Sequence, residues 1–86
     1  MQLAFTESAW EEYLWFQEHE RKLVKRINSL IKDIMRSPFD GIGKPEPLKA
    51  NLSGYWSRRI NQEHRLIYSV SAQYLIVTGC RYHYEV

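Results

Sequence analysis

The apolar pattern changes period once, and the change falls at a proline. Before Ser37-Pro38 the hydrophobic residues recur at helical spacing; after it they form short runs rich in Tyr, Ile, Val and Trp. Leu23, Val24, Ile27, Leu30, Ile31 and Ile34 trace one stripe, with Lys22, Lys25, Arg26, Lys32 and Arg36 mainly on the other sides. Trp10, Tyr13, Leu14 and Gln17 show the same spacing earlier, with Phe16 beside them. A helical half followed by a strand half restricts 86 residues to an α+β arrangement in one domain, with the helices on one face of a sheet.

The local signals fill in that arrangement. Leu3-Ala4-Phe5 reads as a short strand, and Thr6 or Ser8 can cap the helix that follows; Ser8-Ala9-Trp10-Glu11 has the form of a capping box. A break near Glu18-His19-Glu20 would give two helices in a tight hairpin, although no Gly or Pro marks it. Pro38 ends the second helix because the residue before proline is pushed out of the helical region. Residues 39–43 are turn chemistry, and Pro45-Glu46-Pro47 must be extended. Runs over residues 55–60, 64–70 and 74–81, joined by links of three residues, suit antiparallel hairpins. The expected fold is an N-terminal strand and a two-helix hairpin packed on a mainly antiparallel sheet of four to five strands.

Charge is unevenly distributed. The first twenty residues carry Glu7, Glu11, Glu12, Glu18 and Glu20 and no Lys or Arg, whereas residues 21–84 hold all 12 cations against four carboxylates. Such a segment attracts polyanions, although on the helical part a solvated face is the simpler reading. The lone Cys80 excludes an intramolecular disulfide, and the Met1–Phe5 opening is too short and too soon polar for a signal peptide. No apolar run is long enough to span a membrane. A cytoplasmic protein is the expectation.

Strand parity sorts the cations. In residues 64–70, Leu66, Tyr68 and Val70 share one face and Arg65 the other; in residues 55–60, burying Trp56 and Ile60 leaves Tyr55, Ser57 and Arg59 on the second face. If Ile76 and Cys80 face the helices, Arg81 and His83 join Arg59 and Arg65. One sheet surface would then carry three arginines and a histidine. Glu46, between two prolines, sits on a stiff backbone, though a solvated loop carboxylate is the commoner use of such a residue.

A carboxylate, an arginine and a histidine suffice to cleave RNA without a metal. One group takes the proton of a ribose 2′-hydroxyl, one holds the phosphate charge, and one protonates the departing 5′-oxygen. A metal site has little support in one Cys and no histidine pair at ligand spacing, and no cofactor is implied. Gly41 and Gly43 precede no helix and make no phosphate loop. His19 and His64 read as surface and turn residues, and Trp10, Trp15 and Trp56 as core.

Several ordered blocks closely resemble the YoeB toxins of the RelE/ParE superfamily. They are Lys44-Pro45-Glu46-Pro47-Leu48-Lys49, residues 51–60, His64-Arg65-Leu66-Ile67-Tyr68 and Cys80-Arg81-Tyr82-His83-Tyr84, with Trp10-Glu11-Glu12-Tyr13 upstream. The resemblance implies a RelE-like fold and an mRNA interferase acting on messenger in the A site of the 70S ribosome. It implies Glu46 as general base, Arg65 as the phosphate-stabilising cation and His83 as general acid. By the same resemblance Lys49, Arg59 and Tyr84 contact phosphate or substrate, with Arg81 and Tyr55 as further candidate RNA contacts. A YefM-type antitoxin is the implied partner, and a homodimer is a further expectation. Glu85-Val86 extend past the His-Tyr at which such chains typically end.

Two other readings share the fold. A ParE-like gyrase poison would lack the set of Glu46, Arg65 and His83, and a plain RNA-binding module would give that set no special status.

Overall fold

A computed structural model describes residues 1–82. His83, Tyr84 and the Glu85-Val86 extension lie outside the described residues.

The chain begins with β1 (Gln2–Phe5), followed by α1 (Glu7–His19) and α2 (Arg21–Arg36). Thr6 is the cap of α1: its Oγ1 accepts the Ala9 N–H at 3.2 Å, so Ser8 lies inside the first turn instead of capping it. The two helices meet at Glu20, whose φ of −146° takes one residue out of helical geometry. That φ is negative, so the break does not require a glycine. Ser37 closes α2, its N–H bonded to Asp33 O at 2.8 Å.

After the proline the chain forms β2 (Glu46–Pro47), a single 3-10 turn (Ala50–Leu52), β3 (Trp56–Arg59), β4 (Arg65–Val70) and β5 (Tyr74–Gly79). The sheet order is β1-β5-β4-β3-β2, antiparallel throughout except where β1 lies parallel to β5. Phe16, Ile27, Leu30 and Ile34 from the helices meet Leu66, Tyr68, Leu75 and Val77 from the strands, all fully buried. Each such side chain contributes roughly 1.5–3 kcal/mol by leaving water. Among the described residues no helix is long and apolar enough to cross a membrane.

The last strand departs from simple alternation. Ile67 pairs with Gly79 but Tyr68 with Val77, so Thr78 is an extra residue in the ladder. Its hydroxyl donates to Ile67 O at 3.3 Å. One inserted residue reverses the faces on either side of it. Leu75 and Val77, rather than Ile76, therefore face the helices, and beyond the bulge Cys80 faces them too. Burial pushes the Cys80 thiol up to about 12, and nearby Glu12 adds to the shift, which leaves an inert thiol.

The largest fully buried side chain is charged. Arg58 points to the helix side between Trp56 and Ile60, at 0% exposure. Its Nε donates to Tyr68 Oη, Nη1 to Asp33 Oδ2 and Ile42 O, and Nη2 to Ser37 O and Asp40 O. Every N–H of the guanidinium is used. The segment linking α2 to β2 is thus wound around one arginine.

Candidate active site

Glu46 reaches its place through a backbone held at several points. Gly43 has φ +80°, and a Cβ there would stand 2.7 Å from Leu30 Cδ2, so the loop can pass only as glycine. Its carbonyl accepts the Arg59 N–H at 2.7 Å. Two residues later Pro45 and Pro47 enclose Glu46, which pairs with Ser57 across β2 and β3. The carboxylate is exposed on a backbone with little freedom.

The register aligns the other groups with it. Glu46 lies opposite Ser57, Ser57 opposite Ile67, and Arg59 opposite Arg65, so all of these share one sheet face. With strands about 4.8 Å apart and about 3.3 Å per residue, the Glu46 and Arg65 backbones are roughly 12 Å apart. Side chains of that length can meet on opposite sides of one nucleotide. The floor between them is buried: Ser57 and Ile67 are 5% and 8% exposed, and Leu48 is 6% exposed. Neither Leu48 nor Ile67 belongs to the cluster beneath the helices, in keeping with a face directed away from them.

Arg65 is half-spent. Its Nη1 donates to Asn61 O at 2.6 Å, Gln62 O at 3.3 Å and His64 O at 3.1 Å, which fixes the guanidinium against the β3–β4 turn. Nε and Nη2 donate to no described residue and are the pair a phosphate would take. The turn itself is stiffened by Asn61 Oδ1, which accepts the N–H groups of Glu63 and His64. Lys49 is exposed at the start of the 3-10 turn, and Tyr55 is half-buried beside it.

Arg59 directly opposite Arg65 is a like-charge cross-strand pair, which costs stability unless an anion lies between. Arg59→Thr is therefore expected to raise stability by about 0.2–1 kcal/mol in denaturant titration. A variant that loses stability would show that the pair is not repulsive.

Arg81 does not join this surface. Its guanidinium stacks 3.6 Å from the centroid of Trp15 on α1, and its Nη2 donates to Tyr82 Oη at 3.0 Å. β5 ends at Gly79, so the strand alternation that would have placed Arg81 beside Arg59 and Arg65 does not extend to it. His64, expected in the turn, is 2% exposed, with its ring edge-on to Phe16. Among the described residues no group of three or more His, Cys, Asp or Glu is placed to hold a metal ion.

Two features escaped the sequence reading. Arg58 sits between two residues assigned to the core, Trp56 and Ile60, and the same alternation already placed it inside. Arg26 of α2 donates from Nη2 to Arg59 O at 3.1 Å, tying the helix to the end of β3. Nothing local in the sequence signals that contact.

Residues 5–84 match the family described as YoeB-like toxins of bacterial type II toxin–antitoxin systems. The toxin YoeB of Synechocystis is 66% identical over 85 residues, covering 99% of each chain. A YoeB/ParE toxin from Agrobacterium tumefaciens superposes with a TM-score of 0.95 at 49% identity, over 98% of this chain and 100% of that one. YoeB of Staphylococcus aureus has been determined as a dimer (TM-score 0.92, 49% identity, 98% of each chain). It is also known in a heterotetrameric complex with YefM (TM-score 0.89, 51% identity, 95% of each chain). The chain belongs to the YoeB family of toxins from bacterial type II toxin–antitoxin systems, within the RelE/ParE superfamily.

Proposed function

We propose that this toxin is a metal-independent endoribonuclease that cuts messenger in the ribosomal A site and so stops translation. The observation that carries the reading is the shared sheet face of Glu46, Arg59 and Arg65. A carboxylate stands on a stiff backbone at one side, and two guanidinium groups stand at the other. In this reading Glu46 takes the 2′-hydroxyl proton. The freed oxygen attacks the adjacent phosphorus, Arg65 binds the added charge on the phosphoryl oxygens, and His83 protonates the departing 5′-oxygen. The products are a 2′,3′-cyclic phosphate and a 5′-hydroxyl end. DNA, which has no 2′-hydroxyl, is left intact. Lys49, Arg59, Tyr55 and Tyr84 hold the strand.

The separation of Glu46 from Arg65 suits a base. A guanidinium in direct contact would occupy the carboxylate oxygens that must accept the 2′-hydroxyl proton. A YefM-type antitoxin restrains the toxin in the cytoplasm, and the toxin self-associates, as the S. aureus relatives do. An acidic antitoxin segment laid over Arg59 and Arg65 would neutralise the pair and block the phosphate site.

A reconstituted translation reaction tests the reading. Ends mapped by primer extension should show cuts at the A-site codon with ribosomes present and none without them. Cuts on naked RNA at equal rate would overturn ribosome dependence. No cuts at all would favour a binding function.

A further inference from the structure

Buried histidines that the chemistry does not use need another explanation, and His64 has one in its contacts. Its Nδ1 accepts the backbone N–H of Tyr82 at 2.6 Å. A ring nitrogen that accepts carries no proton, so in the neutral imidazole the hydrogen is on Nε2, which lies 3.4 Å from Glu63 Oε1. The ring is wedged between Phe16 (centroids 5.0 Å) and Tyr82 (5.3 Å).

Tyr82 is an unusual residue to hold. Its φ is +61°, left-handed backbone that is costly for a non-glycine residue. Its carbonyl accepts the Arg65 N–H at 3.1 Å. Consecutive residues thus grip Tyr82 on both sides, the His64 side chain at its N–H and the Arg65 backbone at its C=O. Glu12 Oε1 accepts the Cys80 N–H at 2.8 Å and begins the same path two residues earlier.

We infer that His64 is a positioning residue: its Nδ1 fixes the backbone of Tyr82, the residue before His83 in the sequence, in one frame with Arg65. The inference rests on the nuclease reading above. It explains why an aromatic acceptor is buried where an aliphatic residue would fill the space. The His64-Arg65 dipeptide then ties the backbone of Tyr82 to that of the phosphate cation, so a displacement of one is felt by the other.

Two variants separate the acceptor from the ring. His64→Phe keeps an aromatic body and removes the acceptor; His64→Asn restores an acceptor near Nδ1 and removes most of the ring. On ribosome-bound messenger, His64→Phe is expected to lower kcat by 10- to 100-fold with KM unchanged, and His64→Asn to recover most of that loss. Amide hydrogen exchange at Tyr82 should accelerate in the Phe variant and return toward the wild-type rate in the Asn variant. Wild-type kcat in His64→Phe would overturn the inference, as would a rise in KM alone. So would equal losses in both variants that follow a loss of thermal stability. A wild-type protein that cuts no messenger would overturn the nuclease reading and this role with it. Normal cutting by His64→Phe would remove the positioning role alone.

Discussion

Arg65→Lys is expected to reduce messenger cleavage by about 100- to 1,000-fold although the charge is kept. Guanidinium geometry is the reason. Nη1 is committed to the carbonyls of Asn61, Gln62 and His64, which leaves Nε and Nη2 as the pair with no described acceptor. Two parallel N–H groups match two phosphoryl oxygens, and the charge they bind is greatest in the pentavalent state. Lysine has one nitrogen on a flexible stem, and the carbonyls of the same turn would capture it. With Arg59 and Lys49 in their proposed strand-binding roles, the loss should appear in kcat. Glu46→Gln should lose about 100- to 10,000-fold because it removes the proton acceptor at nearly constant shape. Single-turnover cleavage on programmed ribosomes, with binding followed separately by co-sedimentation, measures both. A lysine variant that cuts at the wild-type rate would show that point charge suffices and would remove Arg65 from the role.

Much of this was legible before any coordinates. The switch of period at Ser37-Pro38 located the helices and the sheet, because burial of one face imposes the period on each element. Alternation put Arg59 and Arg65 on one face, and β3 and β4 pair them directly. The bulge at Thr78 turned Ile76 away from the helices, and Arg81 was misplaced because β5 ends at Gly79, before alternation could reach it; neither has a reliable local signature. Placing Glu46 needed long-range information. Its two prolines announce stiffness, but its alignment with Ser57 depends on how residues 37–45 fold, and that is decided by Arg58. His64 read as a turn residue because the turn at Asn61 is local, whereas its acceptor role depends on Tyr82, eighteen positions away.

Arg58→Ala is expected to lower stability by about 3–5 kcal/mol, the cost of leaving buried partners without their charge. For 86 residues the whole stability is roughly 4–13 kcal/mol, so the variant should melt on the order of 15–30 °C lower or fail to fold. The arithmetic follows from what remains after truncation. Asp33 keeps Arg36, an exposed partner, while the carbonyls of Ser37, Asp40 and Ile42 lose their donor and Tyr68 Oη loses one of its bonds. Arg58→Lys should recover only part, since one ammonium cannot span acceptors arranged around a planar fork. Arg36→Ala, by contrast, should change little, because its side chain is 82% exposed. Acid gives an independent signature. Arg58 first, and then the Ile42 N–H, hold the Asp33 carboxyl below its ordinary value of 3.8. A depressed carboxylate stabilises the fold above that ordinary value and loses its contribution as pH falls through the folded one. Wild-type stability should therefore drop below about pH 4, and the drop should be smaller in Arg58→Ala, where the main cause of the depression is gone. Denaturant titrations from pH 7 to pH 3, made on a His83→Ala background so that the protein can be produced, measure both effects. Equal stability of Arg58→Ala and its parent at pH 7 would mean that the segment leading to Glu46 is held by something other than this guanidinium.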